Sequence, residues 1–190
     1  MAKPKSEDKR NAILSAATQV FAERGLGAPT AAITSAAGIA EGSLFTYFKT
    51  KDELINALYR ELKLELADSM MSGFPRKQSV RHRLEHVWNG YVHWGVANPE
   101  QQKVLKQIQF WGGLTQESKQ AGSAPFTEMQ SMTEDAVAQR IYKEIPQSLI
   151  GATLVALAEM TMDFMVREPE RAEMYQTAGF EMLWAAVTRR

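Results

Sequence analysis

The stretch Pro29–Leu54, PTAAITSAAGIAEGSLFTYFKTKDEL, decides how this 190-residue chain is read. It spells a short helix over about 30–37, a glycine-containing turn, and a second short helix over about 41–47. A basic step then leads into a longer helix. Gly38 sits where two packed helices must turn sharply, and a residue without Cβ takes positive φ there without strain. Ile33 and Ile39 flank the turn. Leu44 and Phe48, spaced i,i+4, give the second helix one inner face. Its other positions, Glu41, Gly42, Ser43, Thr46 and Tyr47, are small or polar, as a surface entering a DNA groove requires.

These outward residues have distinct chemical uses. Gly42 permits close backbone approach. Ser43 and Thr46 can bond base edges or touch a thymine methyl, and Glu41 can accept from a cytosine amine. The Tyr47 hydroxyl can reach a phosphate. Lys49 and Lys51 stand at the start of the next helix, where backbone N–H groups and ammonium groups together form a phosphate clamp. Thr30 can play the same part on the other side of the groove.

Working outward, residues 6–24 carry Ile13, Leu14, Ala17, Val20 and Phe21 on one helical face and stop at Gly25. Asp52–Met71 reads as a helix with a stripe at Leu54, Leu58, Leu62 and Leu66. Further helices are expected at about 78–97, 99–111, 125–143, 147–167 and 169–188. They are punctuated by Asn98-Pro99, Gly112-Gly113, Ile145-Pro146 and Glu168-Pro169. Residues 112–125 read as a loop or a short helix. Period-two runs of β-branched residues are missing, so the fold class is all-α.

Composition narrows the function classes. Hydrophobic residues make up 45% of the chain, enough for a sizeable core. No cysteine is present, which removes disulfides and thiolate metal sites and suits a cytoplasmic location. The N-terminus has no apolar signal region. Glu159 and Asp163 interrupt the most apolar run, Leu149–Val166, which is therefore expected to be a buried helix of a soluble protein with no membrane partner. Net charge is zero, but residues 1–51 hold seven Lys/Arg against four Asp/Glu, leaving the remainder acidic. A basic end on an acidic body suits presentation of one end to phosphate.

Residues 12–54 resemble the N-terminal domain of TetR-family transcriptional regulators. The matching run is Phe21, Gly25, then Ile33-Thr34-Ser35-Ala36-Ala37-Gly38-Ile39-Ala40-Glu41-Gly42-Ser43-Leu44-Phe45-Thr46-Tyr47-Phe48-Lys49-Thr50-Lys51-Asp52-Glu53-Leu54. The resemblance implies DNA contacts at Gly42, Ser43, Tyr47 and Lys51, with Thr30 beside them. Departures are Pro29-Thr30 at the entry, Ala40 in place of a capping Ser, and Phe45 in place of Tyr. It also implies a three-helix helix-turn-helix domain, set here at 6–66, and a C-terminal helical effector-binding and dimerisation domain at 67–190. The partners implied are a palindromic double-stranded operator, a small-molecule effector and a second copy of the chain. No cofactor and no catalytic site are expected.

Within the second domain, Trp88, Tyr91 and Trp94 fall on one helix, and Phe110 and Trp111 end the next. With Met129, Met132, Met160 and Phe164 they are the expected lining of an apolar, adaptable ligand cavity. Asn89, His93, Gln109 and Asp163 are candidate orienting groups. The last two helices are the expected dimer interface, through Leu149, Ala152, Ala156, Phe180, Trp184 and Val187. The leading reading is a homodimeric repressor released by a largely apolar or aromatic ligand. An activator, or a regulator without effector, is the alternative. His82-Arg83-Leu84-Glu85-His86 fits the H-x-x-E-H spacing of some zinc peptidases, which makes a zinc hydrolase using His82, Glu85 and His86 a remote third reading. Arg81 and Arg83 beside the histidines oppose a cation there.

Overall fold

The structure is a computed structural model and describes residues 4–189. Ten α-helices follow one another: α1 Pro4–Arg24, α2 Thr30–Ala36, α3 Glu41–Tyr47, α4 Lys51–Met71, α5 Val80–Ala97, α6 Pro99–Gln109, α7 Gln116–Ser123, α8 Thr127–Ala138, α9 Gln147–Arg167 and α10 Ala172–Val187. Single 3-10 turns precede α8 and α10. The only β pairing among the described residues is an isolated bridge between Tyr142 and Thr188. The fold is all-α.

The chain divides into two compact units. The first comprises residues up to Leu64 together with Asn98–Ser123, and the second comprises Glu65–Ala97 with Ala124 onward. Residues 98–123 were expected in a second domain beginning at 67, yet they pack with the N-terminal helices. The reason is specific bonding. Asn56 of α4 is buried and donates through Nδ2 to the carbonyls of Asp52 (2.9 Å) and Gly113 (3.1 Å). Its Oδ1 accepts from the backbone N–H (2.9 Å) and hydroxyl (3.1 Å) of Thr115. Arg60 Nη1 donates to Ser118 Oγ (2.6 Å). Gln107 of α6 donates to the Phe21 carbonyl near the end of α1 (3.3 Å).

In the first unit α1 packs on α2 and α6, and α2 on α3. The expected inner face of α1 is buried at every position from Ile13 to Phe21 in the stripe. In the second unit α9 packs on both α5 and α10, and α10 on α5. One close crossing is at Gly179, where a Cβ would lie 2.3 Å from Thr161 Oγ1 and 2.7 Å from the Trp88 ring. Only glycine lets α10 approach this closely.

Two boundaries differ from expectation. α8 stops at Ala138 rather than near 143, because Arg140 takes φ +58° and Ile141 N–H turns back to the Ala136 carbonyl. That is a Schellman-type stop without its usual glycine, so the sequence carried no warning of it. Residues 112–125 hold α7, extended by a 3-10 turn.

Candidate nucleic-acid interface

The local fold of residues 29–54 follows from a few short-range bonds. Gly38 takes φ +65°, its N–H bonds the Ser35 carbonyl, and Ile39 N–H reaches Thr34 (3.0 Å). This closes α2 in a Schellman motif and redirects the chain. Ala40 caps α3 in extended geometry with no side-chain bond, as its methyl dictates. Ile33, Leu44 and Phe48 are buried, and α3 is anchored against α2.

What α3 leaves outside is the candidate site. Glu41, Gly42 and Thr46 are exposed, and Ser43 and Tyr47 are half-buried. Thr30, the first residue of α2, is half-buried as well. Phe45 joins this surface at 46% exposure. It was noted in the sequence only as a lost hydroxyl. Its place one turn after Glu41 was the signal that its ring faces outward with Glu41 and Gly42, where it can touch sugar or a thymine methyl.

The basic step is narrower than the sequence suggested. Thr50 Oγ1 accepts from Glu53 N–H (3.0 Å), and Glu53 Oε2 accepts from Lys49 N–H (2.8 Å). This capping box fixes the start of α4 but occupies two of the N–H groups the clamp was to use. Lys51 lies across the Phe21 ring with its ammonium 5.9 Å from the centroid. Lys49 is exposed.

Residues 13–58 match the profile of bacterial regulatory proteins of the tetR family. Those residues carry the DNA-binding domain of that family. The chain is similar to an uncharacterised HTH-type transcriptional regulator, YhgD, of Bacillus subtilis, at 30% identity over 84 residues, 42% of this chain and 44% of that one. It is similar to the fatty acid metabolism regulator protein of the same organism at 29% over 76 residues, 40% of this chain and 39% of that one. These matches span less than half of either relative. A crystal structure from Shewanella sp. PV-4, described as a tetR-family transcription regulator, is 26% identical with a TM-score of 0.86 and covers 96% of this chain and 99% of its own. The chain thus has the fold of a tetR-family regulator structure, and residues 13–58 are its helix-turn-helix domain.

The zinc reading fails on geometry. His86 Nε2 bonds the Ser72 carbonyl (3.0 Å) and His82 Nδ1 is paired with Ser79 Oγ (2.8 Å). Among the described residues no three His, Asp or Glu side chains gather as a metal site.

The second unit revises the expected cavity. Trp88 is fully buried, donates Nε1–H to the Gln176 carbonyl (3.1 Å), and wedges the α9–α10 crossing at Gly179. Tyr91 and Trp94 are also buried, and burial together with Glu159 raises the Tyr91 hydroxyl pKa well above that of a free phenol. Asn89 and His93 are both engaged by the Gln176 side chain. Phe110 is 85% exposed; it and half-buried Trp111 belong to the first unit. Met160 and Phe164 lie on the outer side of α9, where Phe164 stacks on Tyr175 at 5.2 Å. Met129 and Met132 of the expected lining border a cleft together with Leu84, Thr133, Ile150 and Leu154.

The expected dimer face divides in the same way. Leu149, Ala152 and Ala156 are exposed on α9. Phe180 and Val187 are buried within the chain, and Trp184 is half-buried. Arg81 covers the Phe180 and Trp184 rings at 5.2 and 5.3 Å and is ion-paired with Glu181. α10 instead turns Met174, Ala178 and Met182 outward. α9 was expected to be buried, yet only a third of its most apolar window is; by length and composition alone it could cross a membrane. Its apolar character is two-sided, with one side taken by α5 and α10 and the other left open.

Proposed function

We propose that the protein is a homodimeric repressor that reads a twofold-symmetric operator with α3 and is released by a small ligand. The observation that carries the DNA-reading role is the outward face of α3, where Glu41, Gly42, Phe45 and Thr46 are exposed over an anchored inner face. Small and polar groups on a rigidly seated helix end are what base-edge contact needs. Lys49 and Lys51, beside the start of α4, supply the phosphate contacts that set register.

Dimerisation is supported by the second outward face. Leu149, Ala152, Ala156 and Met160 on α9 and Met174, Ala178 and Met182 on α10 form an exposed apolar pair of stripes. Two copies joined there make a four-helix contact, and the twofold axis presents two α3 helices to successive major grooves about 34–36 Å apart. Ligand acts by binding one spacing of the pair better than the other. Because one Bacillus subtilis relative is named a fatty acid metabolism regulator protein, a fatty acid is included among the compounds to test against this reading.

The decisive experiment is selection of duplexes from a random-sequence pool by the full chain, followed by footprinting. A palindrome with half-sites about one helical turn apart is expected. In Ser43→Ala one or two base positions per half-site should relax, with a loss of about 1–3 kcal/mol at each. Selection of no sequence, or of a single unrepeated half-site, overturns the reading.

A further inference from the structure

We propose that the effector site is the cleft of about 300 Å³ between α5, α8 and α9, and that it takes a compact, uncharged, largely apolar molecule carrying one hydrogen-bonding group. This rests on the effector-responsive reading above and assigns that effector a place and a chemistry.

The walls argue for the class. Leu84 from α5, Met132 from α8, and Ile150 and Leu154 from α9 are buried and give an apolar floor. Met129 and Met132 add unbranched thioethers that adapt to a flat or irregular guest. The polar groups of the lining are amides and hydroxyls, and no Asp, Glu, Lys or Arg is among them. Thr133 Oγ1 already donates to the Met129 carbonyl (2.9 Å), and Gln147 Nε2 reaches the Gln130 carbonyl (3.4 Å). The Gln147 amide oxygen and the Ser148 hydroxyl therefore provide the recognition of one polar group. A carboxylate or ammonium entering this cleft would shed water and meet no opposite charge among the lining residues, which disfavours it.

Size argues the same way. One water occupies about 30 Å³ in the liquid, so the cleft holds on the order of ten waters, or a guest of similar heavy-atom count. It lies at the small end of ligand cavities. A long-chain fatty acid is mismatched twice, by its length and by a headgroup without a cation.

The test uses the full chain with 13C-methyl methionine and three probes: benzamide, the isosteric benzoate, and dodecanoate. Benzamide should shift the Met129 and Met132 methyl resonances saturably and leave exposed Met174 and Met182 in place. Benzoate should bind at least tenfold more weakly, and dodecanoate should leave Met129 and Met132 unshifted. Gly151→Leu should fold, because a Cβ there meets nothing within 4 Å, and should abolish the benzamide shifts by filling the cleft. Ser148→Phe is the second filling variant should the first not fold. Absence of saturable shifts, equal or tighter binding of benzoate or dodecanoate at these methyls, or undiminished binding in the filled variant overturns the assignment. Duplex binding is measured on the same samples without probe. Duplex binding without methyl shifts overturns this site alone; methyl shifts in a chain that selects no duplex overturn the regulatory reading and leave the site standing.

Discussion

The outer face of α3 and the outer face of α9 with α10 are both open to water, and their chemistry is opposite. The first exposes Glu41, Gly42 and Thr46 around one aromatic ring; the second exposes Leu149, Ala152, Ala156, Met160, Met174 and Met182. A polar face anchored by buried Leu44 and Phe48 is stable as it stands and needs a partner only to act. An apolar face of two long helices is costly in water and is completed by association. The same degree of exposure thus marks a reading surface in one unit and an unfinished core in the other.

The strongest way to break this contrast is to place charge on the apolar face. Ala156→Arg should convert dimer to monomer in sedimentation and lower affinity for a selected duplex about 100-fold or more, since facing like charges cost several kcal/mol. A variant that stays dimeric would assign that face to something else. Next in size is Asn56→Ala, which strands the Thr115 N–H and the Gly113 carbonyl and should lower unfolding stability by about 2–3 kcal/mol in urea. Indifference to that change would mean residues 113–118 are not integral to the reading unit. Lys51→Ala should weaken all duplexes alike and flatten the salt dependence by about one phosphate contact per protomer, in contrast to Ser43→Ala. A slope equal to that of the parent chain would remove lysine 51 from the interface.

The smallest effect concerns Lys63, whose pKa burial pulls down to about 8. A base with a lowered pKa is disfavoured in its protonated form by folding. Between about pH 8 and the ordinary lysine pKa the unfolded chain binds more protons, so stability attributable to this residue rises with pH across that window. Lys63→Met should be more stable than the parent chain at pH 7, with the difference shrinking toward pH 10.

Residues 12–54 were legible in the sequence almost position by position, because their burial is decided by neighbours three or four residues away. Gly38, Ile33, Leu44 and Phe48 do what local spacing says they must. The second unit was less legible for one reason: a half-apolar helix does not say which neighbour it will meet. Phe180 and Val187 face inward, the first beneath Arg81, while Met174 and Met182 face out, and either set satisfies the same periodicity. Trp88 packs at a helix crossing that depends on Gly179, ninety-one residues later in the chain. Phe110 has the composition of a cavity residue and is set at a helix end in solvent. No short-range pattern recorded the affinity of α6 and α7 for the N-terminal helices, because it rests on single side chains such as Asn56 and Gln107.

The discontinuity of the first unit also sets an order of events during synthesis. The reading helix is made early, but the partners of Asn56 emerge about sixty residues later. At roughly 5–20 residues per second the nascent chain spends several seconds with that amide unmatched. A gene fragment ending at residue 66 would hold the protein permanently in that interval, with every DNA-facing residue present and the scaffold behind them unclosed.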